Sequence, residues 1–213
     1  SVNQSCNEGR TPLYIAAQQG QIEAVKCLVK NGADINQCRN DGWTPLHIAT
    51  QQGHTDIVKY LVDNGANVNQ GCNEGRTPLY IAARDGYIDV VRYLVEEGGA
   101  DINRTNIHDQ DPLSIAKIHN HEKVIAYLNE KIDKARVFHN CVTHGDLINI
   151  KKYVQKDHSI IQRFNKLGWT PLSLAAQQGH TDIIKYLVDS GAKVNQGCNE
   201  GITPLHIATQ QGH

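Results

Sequence analysis

No stretch of the 213-residue sequence is apolar over the roughly eighteen residues that a membrane helix requires, and none has the form of a cleavable leader. Direct membrane insertion and secretion are therefore not expected, and a cytoplasmic location is. An excess of one charge is lacking too: 21 Lys and Arg against 22 Asp and Glu leave a formal net charge of −1, without the basic stripe that a nucleic-acid partner needs. The six cysteines include no Cys-x-x-Cys with a downstream partner at zinc spacing. A glycine-rich phosphate loop, a Ser/His/Asp constellation and paired carboxylates in an apolar setting are also missing. The expectation is a chain that is not an enzyme and holds no cofactor.

What is there is one string that returns every 33 residues or so, a period that decides the architecture before any residue chemistry does. Thr44 is placed to cap a helix that Pro45 opens, because the hydroxyl accepts an amide of the first turn and proline has no N–H to leave unpaired. Leu46, Ile48 and Ala49 give a short apolar face, and Gly53 suits a left-handed exit. Thr55-Asp56 offers a second capped start, Ile57, Val58, Leu61 and Val62 recur at helical spacing, and Asn64-Gly65 closes the run. Ala66 to Gly75 alternates weakly and is full of turn formers, which predicts an extended finger or hairpin leading to the next helix pair. Two short helices leave apolar flanks on both sides, so neighbouring repeats must cover them in a quasi-one-dimensional solenoid with a continuous core.

Gly42-x-Thr44-Pro45-Leu46-His47-x-Ala49, the Gly53-His54 turn and Gly65-Ala66-Asn67-Val68-Asn69 together resemble the ankyrin repeat, across nearly all of the chain. The resemblance implies an all-α ankyrin-repeat solenoid of helix-turn-helix pairs with hairpin fingers. Its first helices begin at Pro12, Pro45, Pro78, Pro112, Val137, Pro171 and Pro204, in steps of 33, 33, 34, 25, 34 and 33 residues. The doubled Gly98-Gly99 explains the first long step as a loop insertion. The step of 25 means a missing finger: Asn129 to Arg136 stands where Gly-Ala-Asp-x-Asn belongs. The repeat from Ile107 to Lys131 then ends in polar residues, as a closing cap would, and Ala135 to Phe164 is similar to the opening repeat of many ankyrin domains. Two sub-stacks are expected, residues 1–132 and residues 133–213, joined by a short helix-to-helix turn with Asp133 as cap. Residues 44–75 return at 170–201 with six substitutions, among them His47/Ser173 and Val58/Ile184, so the irregular segment lies inside a duplicated array.

Val2 to Glu8 match the finger Val68 to Glu74, and the chain closes on a lone first helix. With no methionine at the start, this leads to the expectation of a piece of a longer array. Its truncated end, where Leu205, Ile207 and Ala208 lack a neighbour, is expected to make end-to-end contacts with other copies.

The reactive-looking side chains are periodic, which favours scaffold roles. Cys6, Cys72 and Cys198 share one finger position in different repeats, too far apart for a disulfide. Free thiols are the expectation, with Cys141 in a small core position. His47, His139 and His206 occupy one motif position, where the ring can bond backbone or the capping Thr, and His54, His180 and His213 sit at the Gly-His turn. His108, His119, His121 and His144 are irregular and leave open a weak metal site near the missing finger. Tyr60, Tyr93, Tyr127 and Tyr186 recur on successive second helices, where packing with the hydroxyl reaching water is expected.

The resemblance further implies other proteins as partners, held on the concave side by finger tips and the ends of first helices. Carried onto this chain, those positions include Arg10, Gln18, Gln19; Asp41, Trp43, Gln51, Gln52; Glu74, Arg76, Arg84, Asp85; His108, Gln110, His119; Lys166, Trp169, Gln177, Gln178; and Asn199 and Glu200. The third repeat replaces the Gln-Gln pair with Arg84-Asp85, so a charged anchor is expected there. Trp43 and Trp169 have hot-spot character, although Trp before Thr-Pro is common in ankyrin repeats. Asn36 and Asn69 are similar to the finger asparagines that asparaginyl hydroxylases modify in animal ankyrin repeats, and the alternative is an amide that bonds hairpin backbone. The expected function is a non-catalytic scaffold. The alternatives are an accessory array of a larger signalling enzyme or bacterial effector, and a spacer or spring, which the near-constant Gln pairs suggest.

Overall fold

A computed structural model describes residues 2–165, 167–198 and 201–212. Lys166, Asn199, Glu200 and His213, named above, lie outside the described residues. Among the described residues the regular structure is helical throughout. The helices are α1 (Pro12–Gln18), α2 (Ile22–Lys30), α3 (Pro45–Gln51), α4 (Thr55–Asp63), α5 (Pro78–Asp85), α6 (Ile88–Glu96), α7 (Pro112–Ile118), α8 (Glu122–Thr143), α9 (Leu147–Lys156), α10 (Pro171–Gln178), α11 (Thr181–Asp189) and α12 (Pro204–Gln211), with a 3₁₀ turn at His158–Gln162. No helix in these residues is long and apolar enough to cross a membrane.

The short first helices start as their sequence dictates. Thr11, Thr44, Thr77, Asp111, Thr170 and Thr203 each accept the third amide of their helix, and Pro opens each one. The second helices start differently from expectation. The cap of α4 is His54 and that of α11 is His180, with no side-chain cap bond, and Thr55 and Asp56 lie inside α4. The imidazole reaches backwards instead: its Nε2 donates to the carbonyl of Gln18 from His54 (3.3 Å), of Arg84 from His121 (2.7 Å) and of Thr143 from His180 (3.2 Å).

The chain divides into two compact units, residues 1–128 and 129–213. In the first, α1, α3, α5 and α7 pack in succession, as do α2, α4 and α6. Leu13, Leu46 and Leu79 are buried at equivalent positions between them, each contributing roughly 1.5–3 kcal/mol by burial. In the second, α10 packs on α11 and α12, over a core of Phe138, Val142, Ile150, Val154, Ile161, Leu172 and Ile183.

The turn expected at Asp133 is absent. Glu122–Thr143 is one helix of 22 residues, because nothing between its ends breaks it: the segment holds no Gly or Pro. Buried Leu128, Lys131, Ala135, Phe138 and Val142 recur at helical spacing straight through the segment. Glu130–Lys134 (2.5 Å) and Asp133–Arg136 (3.1 Å) pair along its exposed side. Losing the finger thus fuses a second helix to the first helix that follows.

Side-chain clamps join one repeat to the next elsewhere. The amide of Asn3 donates to the Gly32 carbonyl (3.2 Å) and accepts from the Asp34 N–H (2.8 Å). Asn36 does the same to Gly65 and Asn67, and Asn69 to Gly99 and Asp101. In the second unit Gln162 takes this role towards Gly191 and Lys193. Two of the second-helix tyrosines clamp as well, and their hydroxyls meet carboxylates where water was expected. Tyr93 donates to Asp63 beneath Lys59, and Tyr127 donates to Glu96 (3.1 Å) beneath Arg92. The Asp63 carboxylate raises the Tyr93 pKa to about 12.

Candidate partner-binding face

Four finger tips are five-residue turns, each closed by two backbone bonds, the inner one running from the fourth N–H to the first carbonyl, as from Gly42 to Arg39 (2.8 Å). The N–H of Cys6, Arg39, Cys72 and Asn106 donates to the carbonyl of Arg10, Trp43, Arg76 and Gln110, at 2.8–3.1 Å. The fourth position of the turn lies in the left-handed region. At Gly42 (φ 84°) an added Cβ would also stand 2.8 Å from the Asn73 backbone nitrogen, so dihedral and packing both require glycine. The packing is close because the tips are laced together: Asn40 N–H donates to Glu8, Asn73 N–H to Asp41 and Ile107 N–H to Glu74.

The charged side chains of this face are already paired within their own repeats. Arg10 meets Glu8 (2.6 Å), Arg39 meets Asp41 (Nε to Oδ1, 2.9 Å), Arg76 meets Glu74, and Arg84 holds Asp85 through two bonds of 2.7 and 2.9 Å. Exposed pairs such as Arg10–Glu8 contribute only about 0–1 kcal/mol, whereas the side chains of Arg84 and Asp85 are only 22% and 24% exposed. Arg39, which sequence reasoning did not single out, lies 5.6 Å over the Tyr14 ring and holds the Asp41 carboxyl below its ordinary range. Its signal was available: Arg39 stands where other fingers carry Cys6 and Cys72.

The uncharged candidates divide into open and built-in. Gln19 and Gln52 are exposed at the helix ends, and Gln18 and Gln51 are half-buried. Trp43 is half-buried, its ring 5.8 Å from that of His47. Gln110 belongs to a polar cluster: it accepts from the Tyr80 hydroxyl (3.1 Å) and from the Asn106 amide (3.1 Å), which also donates to Tyr80 (3.2 Å). Burial raises the Tyr80 pKa there. His108 is exposed, and His119 is exposed with its ring stacked 6.2 Å from His121. The same fourth repeat puts Ile107 and Ile118 into solvent, at 62% and 58% exposure. In the second unit Trp169 packs half-buried against the core, Gln177 is half-buried and Gln178 exposed. Asn36 and Asn69 have both ends of their amides engaged in the clamps described above.

The reactive-looking groups are tied into the scaffold. All six cysteines are free thiols. His47 accepts the Thr44 N–H at Nδ1 (3.2 Å) and donates from Nε2 to the Arg76 carbonyl (3.0 Å), and burial lowers its pKa to about 4. Both ring nitrogens of His139 face carbonyls, of Ala135 (2.6 Å) and Arg163 (2.9 Å), leaving neither to take a proton from Cys141. Burial raises the Cys141 pKa further from reactivity. Among the described residues no three His, Cys, Asp or Glu side chains are grouped to hold a metal ion.

The repeat geometry is matched by a family model described as ankyrin repeats (three copies), over residues 1–72, 31–106, 69–137 and 138–213. The chain belongs to the ankyrin-repeat family. Members of this family are general protein-interaction modules. Over 63 residues, this ankyrin-repeat chain is 46% identical to protein phosphatase 1 regulatory subunit 27 of Mus musculus, a match covering 30% of the chain and 40% of that relative. The human protein of that name is 46% identical over 54 residues, 25% of this chain and 34% of its own length. Alpha-latrotoxin-Lh1a of Latrodectus hasselti is 36% identical over 64 residues, 30% of this chain and 5% of the toxin. The chain thus spans less than half the length of each of these relatives.

Proposed function

We propose that this ankyrin-repeat chain is a non-catalytic, cytoplasmic scaffold that binds other proteins through its finger tips and first-helix ends. One observation carries the reading. Leu13, Leu46 and Leu79 stay constant and buried, whereas the open positions change in the third and fourth repeats: Gln51-Gln52 gives way to Arg84-Asp85 and then Ile118-His119 on successive first helices, and Asn73-Glu74 to Ile107-His108 on successive fingers. A surface that varies over a constant frame is what selective recognition requires. The regulatory subunit among the relatives is consistent with a binding role, and the small share of the toxin that matches is consistent with an array that accompanies other domains.

The third repeat supplies the charged anchor in this reading, because Arg76 and Arg84 stand there with their paired acids Glu74 and Asp85. Alanine at Arg76 and Arg84 together is expected to weaken a captured partner about tenfold, as loss of two charged contacts at an interface does. Calorimetric titration of the partner against wild type and the double variant measures it. Unchanged affinity removes the third repeat from the interface.

A further inference from the structure

The outer sides of three second helices share one charge pattern, whereas α2 carries Glu23, Lys26 and Lys30 at the corresponding places. Asp56, Lys59 and Asp63 are exposed on α4, Asp89, Arg92 and Glu96 on α6, and Asp182, Lys185 and Asp189 on α11. Each shows acid, cation, acid. Helix α9 breaks the pattern: its exposed side carries Ile148, Lys151, Lys152, Gln155 and Lys156, spaced to lie on one face. Ile148 is 71% exposed, where a packing role would bury it.

The acids flanking α9 are engaged chiefly by other groups, although the Lys152 charge also acts on Asp146. Asp146 caps the helix, accepting both the Asn149 N–H (3.1 Å) and the Asn149 amide (2.6 Å). Asp157 is held by Ser159 (2.6 Å), by Arg163 (2.9 Å), whose side chain is only 9% exposed, and by Lys131 (3.8 Å). Lys151 lies 5.6 Å over the Tyr186 ring and Lys152 reaches only the Asn149 amide oxygen. Among the described residues, no carboxylate pairs with Lys151, Lys152 or Lys156.

We propose that this face of α9 is a second docking surface, for an acidic segment of a partner protein that carries an aliphatic residue among its carboxylates. Three lysines call for negative charge, and one exposed isoleucine calls for a single apolar contact at their edge. A lone isoleucine on a ten-residue helix, without aromatic neighbours on that face, is too little for a membrane interface. The absence of arginine from the same face, in a chain of net charge −1, disfavours nucleic acid. The surface is separate in kind from the finger face: it belongs to a second helix of the unit 129–213.

A fluorescent peptide of about ten residues, Glu and Asp around one Leu, tests this by anisotropy titration of the whole chain. Binding that weakens with salt is expected, reduced at least about tenfold by K152E/K156E, retained by K152R/K156R, and reduced several-fold by I148S. Far-UV circular dichroism checks that the variants are folded. Reversal of Lys185 on α11 is expected to leave binding unchanged. The proposal is overturned if the wild type does not bind the peptide, if K152E/K156E binds as the wild type does, or if K185E weakens binding equally. It is also overturned if phosphatidylserine vesicles or duplex DNA bind this face and the peptide does not.

Discussion

Proline at position 133 is expected to destabilise the protein by about 3 kcal/mol or more, the usual effect of proline in a helix interior. The residue lies near the middle of α8, exposed, with a single surface partner in Arg136. Proline there removes one backbone N–H hydrogen bond and clashes with the preceding turn without touching the core, so the loss reports the helix itself. Alanine at the same place is expected to change stability by less than about 0.5 kcal/mol. A turn capped by Asp133 would reverse the order: alanine would cost about 1 kcal/mol, and proline beside a helix start would be tolerated. Urea unfolding of both variants, followed by circular dichroism, separates the two arrangements.

Acidification is the second large effect. The His47 pKa falls from its ordinary 6.5 to about 4 on folding because the ring is buried as the neutral form, with Nδ1 accepting and Nε2 donating. Between those values the unfolded chain binds a proton that the native chain does not, so unfolding is favoured as the pH drops. The stabilisation is fully present above pH 6.5 and is lost as pH falls to about 4, amounting to about 3 kcal/mol across that window. Burial lowers His139 as well, in the same sense, against the opposing pull of its two carbonyls. Comparing wild type with H47Y isolates the first contribution, since Tyr14 and Tyr80 occupy the equivalent place in the repeats on either side. The variant is expected to show a flatter stability profile from pH 6.5 to 4. An unchanged slope assigns the acid sensitivity to other groups.

What the sequence made legible is what is local. Thr44 before Pro45, Gly53 after a two-turn helix and the apolar spacing of Ile57, Val58 and Leu61 each act within a few residues, and each lies in the structure where the pattern put it. Two misreadings arose where local signals compete with distant ones. Thr55 looked like a cap because threonine usually is one, but the turn geometry gives that place to His54, whose ring is engaged with Gln18 thirty-six residues earlier. Asp133 looked like a cap because a finger was missing, yet an uninterrupted run of helix formers simply continued. Backbone bonding by Asn36 and Asn69 was legible, but not that the backbone belongs to the next repeat, nor that Tyr93 meets a carboxylate: each joins residues about one repeat apart, and only the stacked register brings them within bonding distance. At the finger tips and first-helix ends proposed to bind a partner, the residue positions were readable from the period, whereas their pairing was not. The internal pairing of Arg76 with Glu74 and of Arg84 with Asp85, and the enclosure of Gln110 by Tyr80 and Asn106, depend on side-chain placement that spacing leaves open.

The scaffold reading is tested most directly by where a bound partner touches the chain. A photo-crosslinking amino acid placed singly at Gln19, Gln52 and Asn73, and as controls at Lys59 and Arg92 on the outer sides of α4 and α6, maps that contact by mass spectrometry. The account predicts adducts at the first three positions and none at the two controls. Adducts confined to Lys59 and Arg92 would contradict it.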